Sequence, residues 1–163
     1  MHIPVVVGSG RGRTALSAFD AALNDCGVFN YNLIRLSSVI PPGTTVFESD
    51  RACSPPREHG DRLYVVMAEQ RSATPGRAIA AGIGWYQWQC GKGVFVEHES
   101  EGPSPVEAEA AVLDQIYASL HDLCERRRVG FDPLGVGWRV ASTEVDEEPA
   151  AVVALAVYGA ERW

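Results

Sequence analysis

Apolar positions along the chain fall into short strand-like runs, interrupted by two stretches with helical spacing. Ile3–Val7 is a compact β-branched run ending in the glycine loop Gly8-Ser9-Gly10-Arg11-Gly12. Thr14 can then cap a helix running through Cys26, with Leu16, Phe19, Leu23 and Cys26 on its apolar face and Gly27 as its stop. Leu33, Ile34 and Leu36 make a short strand that runs into Ser37-Ser38 and the stiff exit Pro41-Pro42-Gly43. Thr44–Phe47 is another short strand. The Ser-, Pro- and charge-rich segment from Glu48 to Asp61 reads as an exposed loop or mobile flap.

Strands follow at Arg62–Gln70, Gly76–Trp88 and Val94–His98, with Trp85, Tyr86 and Trp88 as core and interface aromatics. Ser104-Pro105-Val106-Glu107 opens a second helix with a capping box. Val106, Ala110, Leu113, Tyr117, Leu120 and Cys124 should form its buried line, and Arg126, Arg127 and Arg128 suit its C-terminal dipole. Val136–Val145 and Ala151–Tyr158 are the last strands, joined by an acidic turn. Strands that mostly follow one another, with two helices, predict an α+β sandwich whose helices cover the outer faces of stacked sheets.

Composition narrows the class. With 163 residues, 46% of them hydrophobic, residues 1–163 can form a single domain with a substantial core. No stretch is long enough to span a bilayer as a helix, so no membrane association is expected. The N-terminus shows neither a basic leader nor a small-residue cleavage site, and the cytoplasm is the expected compartment. The formal net charge of −7 repels phosphate backbones, which argues against a nucleic-acid partner and suits a cationic ligand. Cys26, Cys53, Cys90 and Cys124 match neither a zinc nor a redox spacing, so free and mostly buried thiols are expected and no metal. The glycine loop lacks a dinucleotide fingerprint, because Arg13 stands where the third glycine is required.

The candidate chemistry centres on Ser37-Ser38. A serine can attack the carbonyl before it, exchange amide for ester and lose that ester by elimination, becoming a pyruvoyl group; the plain alternative is a polar strand end. Strand formers before the pair would hold the bond in a sheet, and the proline-proline-glycine exit could hold the Ser37 carbonyl off its relaxed geometry. Alternation in the strand ending at His98 puts Glu97 on the face of Phe95 and His98 on the other. A carboxyl beside an aromatic ring is placed to hold a proton, and a strand-end carboxylate facing water is the alternative. Asp20 lies beside the apolar stripe of the first helix, where a solvated carboxylate is the ordinary reading. Asn32 and Ser38 share a strand face but lie roughly 20 Å apart on a straight strand, at about 3.3 Å per residue, so they can meet only through a bend or across a subunit boundary.

At these residues the chain resembles the pyruvoyl-dependent arginine decarboxylases. The resemblance covers Gly8-Ser9-Gly10, Leu16 to Leu23, Gly27, the run Asn30-Tyr31-Asn32-Leu33-Ile34-Arg35-Leu36-Ser37-Ser38-Val39-Ile40-Pro41-Pro42-Gly43, and Gly93 to Glu99. Phe29 departs from the smaller residue the family carries there. The resemblance implies a four-layer αββα sandwich, assembled as a homotrimer with active sites between subunits. It implies self-cleavage into a β chain of residues 1–37 and an α chain of residues 38–163, with a covalent pyruvoyl group from Ser38. It further implies decarboxylation of arginine to agmatine through a Schiff base, Glu97 as proton donor, a site role for Asn32 and Asp20 as a holder of the substrate guanidinium. A pyruvoyl decarboxylase for another amino acid, or an uncleaved trimeric scaffold without activity, remain the alternatives.

Overall fold

The computed structural model describes residues 1–52 and 59–163, so Cys53 and the middle of the expected flap, residues 53–58, lie outside the described residues. The chain runs β1 (His2–Arg11), α1 (Ala15–Cys26), β2 (Asn32–Arg35), β3 (Val39–Ile40), β4 (Thr45–Glu48), β5 (Arg62–Ser72), β6 (Ala78–Gln87), β7 (Gly93–Gly102), α2 (Pro105–Arg127), β8 (Gly137–Glu144) and β9 (Ala150–Glu161). One sheet has the order β2-β5-β9-β1-β4 and the other β3-β7-β6-β8. Pairing is antiparallel except for β1 with β4 and β2 with β5.

Strand alternation builds the layers. On β9, Ala150, Val152, Ala154 and Ala156 face the other sheet while Ala151, Val153, Leu155 and Val157 face α1. On β6, Ile79, Ala81, Ile83 and Trp85 join the inter-sheet core, and Ala78, Ala80 and Tyr86 pack under α2. Three apolar layers result, and the order helix, sheet, sheet, helix is the expected αββα sandwich.

The glycine loop expected after Val7 is a strand instead: β1 continues to Arg11, paired with β9 throughout. Its glycines are a bed for α1. A β-carbon at Gly8 would stand 2.5 Å from the Ala22 carbonyl oxygen, and one at Gly10 would overlap the backbone of Ala18 and Ala22. Gly82 and Gly84 do the same under Val112 and Ile116 of α2.

Both helices start where the sequence places them. Thr14 and Ser17 form a reciprocal capping box, and Gly27 closes α1 in the left-handed conformation at φ 80°. Ser104 caps α2, its hydroxyl donating to the Glu107 carboxylate at 2.7 Å. The buried line of α2 is Ala108, Val112, Ile116, Leu120 and Cys124, rotated from the expected one, so that Val106 and Ala110 are exposed. A strict spacing of four follows the sheet beneath, where Gly82 and Gly84 receive Val112 and Ile116. On α1, Leu16 is exposed and Ala18 and Ala22 take the glycine bed instead. Cys26 and Cys124 are free and buried and Cys90 is exposed, and burial, aided by the Asp25 charge, pushes the Cys26 thiol up to about 12.

Because the atoms facing Gly10 belong to helix backbone, Gly10→Ala should push α1 off the sheet and cost about 1–3 kcal/mol. Thermal unfolding checks this, with Gly130→Ala, whose added carbon meets nothing within 4 Å, as the control left near wild type.

Candidate active site

The short strand expected through Ser37-Ser38 divides. β2 ends at Arg35 in the larger sheet and β3 begins at Val39 in the smaller one, so the serine pair is the crossing between layers, not part of a strand. The crossing is nonetheless pinned. Leu36 donates its N–H to the Val65 carbonyl at 2.8 Å on one side, and Phe95 donates to the Ser38 carbonyl at 2.9 Å on the other. Ser37 lies between these anchors, and its carbonyl accepts the Val39 N–H at 2.6 Å. That bond closes a tight turn centred on Ser38. Ser38 is not among the positive-φ residues, so the turn takes the relaxed inverse form and the backbone is not strained there. Gly43 takes φ 68° in the exit from β3, as its position after two prolines suggested.

Across this turn the Ser38 hydroxyl donates to Glu97 Oε1 at 2.6 Å. Glu97 is half-buried on β7 and faces the inter-sheet side with Phe95, as alternation requires. A hydroxyl and a carboxylate at this distance can act as a nucleophile and base pair, and the Ser37 carbonyl beside them is already polarised by a backbone donor.

Ser38, Phe95, Val96, Glu97, His98, Ser119, Asp122, Leu123 and Arg126 line a cavity of about 460 Å³. It includes residues from both faces of β7, because the pairing of β3 with β7 covers only Val94 and Gly93 and leaves the strand edge open beyond Phe95. His98, on the opposite face from Glu97, therefore joins the same cavity and meets the Ser119 hydroxyl on α2 at 2.9 Å. Desolvation by burial depresses the His98 pKa, against the opposing pull of Glu99 and Glu97.

Asn32 and Asp20 are elsewhere. The Asn32 amide donates to the Gly60 carbonyl at 2.5 Å, and Asn32 lines a separate groove with Phe19, Leu23 and Arg35. Glu69 in that groove pairs with Arg35 at 3.3 Å and Arg71 at 3.0 Å, and Arg71 stacks over the Phe19 ring at 3.7 Å. Asp20 is exposed on α1, next to Phe19, and makes no ion pair among the described residues. One protomer thus brings Ser37, Ser38 and Glu97 together and leaves Asn32 and Asp20 apart from them.

Four participants were invisible in the sequence. The Val39 N–H is a backbone group. Arg126 is accounted for in the sequence by the helix dipole alone, and nothing around Asp122 singles it out. Tyr158, the end of a strand pattern, donates its phenol to the Val39 carbonyl at 2.8 Å.

Residues 2–162 match the model of the family described as pyruvoyl-dependent arginine decarboxylase. A protein of Halobacterium salinarum named pyruvoyl-dependent arginine decarboxylase is 38% identical over 160 residues, covering 97% of this chain and 94% of that one. A protein of the same name from Methanocella arvoryzae is 36% identical over 77 residues, covering 47% of this chain and 46% of that one.

The depressed His98 value gives a prediction with a definite sign. The unfolded chain takes up the proton first, so stability is undiminished above about 6.5 and falls as pH drops through the folded value. Proton NMR should place the His98 midpoint below 6.5, and His98→Gln should remove that part of the acid destabilisation.

Proposed function

From the premise that the chain belongs to the pyruvoyl-dependent arginine decarboxylase family, we propose that it cuts itself between Ser37 and Ser38 and then decarboxylates L-arginine to agmatine and carbon dioxide. The observation that carries this reading is the Ser38–Glu97 hydrogen bond beside a Ser37 carbonyl already held by Val39 N–H.

In the cleavage, Ser38 Oγ bonds to the Ser37 carbonyl carbon and gives its proton to Glu97. The Ser37–Ser38 C–N bond breaks and the nitrogen takes up a proton, leaving an ester. Loss of a proton from the Ser38 α-carbon then expels the Ser37 carboxylate. Water replaces the nitrogen, which departs as ammonia, and residue 38 becomes pyruvoyl. The products are residues 1–37 and residues 38–163.

The residues around Ser38 fit such a group: Ser38, which would become it, lines the cavity, and the amide carbonyl that would adjoin its ketone already accepts the Phe95 N–H. A pyruvoyl ketone supplies an electrophile for the substrate amine and a sink for the electrons left by departing carbon dioxide. Glu97, within hydrogen-bond reach of the Ser38 side chain, is the acid that returns a proton to the substrate α-carbon.

Asp20 and Asn32 complete the site from another copy. Asp20 offers an unpaired carboxylate to a guanidinium, and the Asn32 amide, turned to Gly60 and not to Ser37, suits the substrate carboxylate better than the scissile carbonyl. A site shared by neighbouring copies follows from this division, and a homotrimer of cleaved protomers is the assembly proposed to form it. No helix among the described residues is long and apolar enough to cross a membrane.

Purified protein should contain the two chains, with the larger blocked at its N-terminus by pyruvoyl, and Ser38→Ala should stay whole; a wild-type precursor that never splits sinks the reading. Glu97→Gln should slow cleavage at least tenfold and agmatine release by orders of magnitude, followed by gel time course and product assay. Asp20→Asn should cleave normally yet bind arginine poorly. Refolding it together with Glu97→Gln should restore activity above either alone, because mixed assemblies contain some sites with both intact halves. Arginine should turn over far better than lysine or ornithine; the reverse would leave a pyruvoyl decarboxylase of another substrate.

A further inference from the structure

β3 pairs with β7 only at Val39 with Val94 and Ile40 with Gly93, and the Ser38 carbonyl beside it accepts from Phe95. In an antiparallel pair, alternate residues turn their N–H and C=O towards the partner strand. With Ser38 turned towards β7, Val39 turns both of its backbone groups away. Its side chain is 57% exposed and offers little packing to hold it. Two contacts restrain it: its N–H donates to the Ser37 carbonyl at 2.6 Å, and its C=O accepts the Tyr158 phenol at 2.8 Å.

Tyr158 follows Ala154 and Ala156 on the inter-sheet face of β9, and β9 is irregular where it reaches that carbonyl. Val65 pairs with Val157 and Tyr64 with Gly159, so Tyr158 is an extra residue in the ladder, a β-bulge. Bulges re-aim side chains, and they are over-represented beside active sites. At this one Tyr158 packs against the inter-sheet core, with its ring edge-on to Phe95 at a centroid distance of 6.1 Å.

We propose that Tyr158 is a positioning residue for the self-cleavage, holding the Val39 carbonyl so that the Val39 N–H stays on the oxygen of the bond to be cut. The assignment rests on the reading that the chain cleaves itself. As Ser38 Oγ bonds to the Ser37 carbonyl carbon, that oxygen gains negative charge, and the Val39 N–H is the donor that meets it. When the C–N bond breaks and the Ser37 carboxylate has left, the donor has no further part to play. The Tyr158 hydroxyl should therefore matter for making the prosthetic group and much less for using it. Burial first, and the Glu97 charge second, push the phenol up to about 12, so it remains a donor at any working pH.

Tyr158→Phe removes the hydroxyl and keeps the ring on Phe95. Freshly translated precursor of wild type and variant is followed by denaturing gel, alongside thermal midpoints and the turnover of fully processed protein. Cleavage at least tenfold slower in the variant, with midpoint within about 2 °C and mature turnover within about twofold, is the expected result. Wild-type-rate cleavage overturns the proposal, as does a slow variant whose midpoint and turnover fall together, which marks a merely structural role. If wild type itself never splits, the underlying reading fails instead, which separates the two.

Discussion

Everything at the site depends on how the chain passes from one sheet to the other within three residues. Leu36 is tied to β5 and Ser38 to β7, each by one backbone hydrogen bond, and Ser37 is left between two ladders. A carbonyl in that position must find a donor off the ladders, and it finds the Val39 N–H. The same crossing swings the Ser38 hydroxyl onto Glu97. Had the run from Leu33 to Ile40 stayed a single strand, the Ser37 carbonyl would be an ordinary ladder acceptor, and the hydroxyl would point to whichever face alternation assigned it. Placement between layers, with no unusual φ, makes this peptide bond chemically distinct.

The layers are held at their spacing by small residues. Gly8 and Gly10 let α1 rest on β1, and Gly82 and Gly84 let α2 rest on β6. The close seat of α2 also serves the cavity, because its later turns then bring Ser119, Asp122 and Arg126 to the open edge of β7. β7 is firmly fixed along its other edge, where it pairs with β6 from Gly93 to Gly102. Glu97 thus stands on a strand that is rigid on one side and open on the other, which suits its proposed role of meeting both a backbone turn and a small molecule.

Much of the architecture was legible because its signals are local. Thr14, Gly27 and Ser104 mark helix ends by capping chemistry that needs no tertiary context. Alternation put Glu97 with Phe95 and His98 on the far face, and both placements hold. Legibility failed where the outcome depends on a distant partner. Gly8-Ser9-Gly10 resembles a loop until a helix is laid across it, and Val106 resembles a core residue until the glycines under Val112 and Ile116 set the rotation of α2. The break of the serine strand depends on β5 and β7 competing for its two ends, and no residue within the run announces that. A bulge at Tyr158 is a property of two paired strands, so β9 alone reads as regular.

Charge supports the proposed division of the site between copies. The Ser38 cavity carries Arg126, which has no ion-pair partner among the described residues, beside Glu97 and Asp122. Arg126 repels a guanidinium from its own end of the cavity, so in the proposed complex a cationic side chain points away from that end. The carboxylate proposed to receive it, Asp20, lies on α1, which covers the opposite outer face from α2. The sandwich separates them by two sheets, and no movement of side chains closes that gap. A second copy that lays its α1 and β2 face against the open edge of β7 removes the difficulty, since the edge is already free of a neighbouring strand beyond Phe95. On the proposed reading, the bond-cutting half would act within one chain before assembly is complete, because its nucleophile, base and donor are all local. The substrate-selecting half would need the neighbour, and the two proposed functions are separable for that geometric reason.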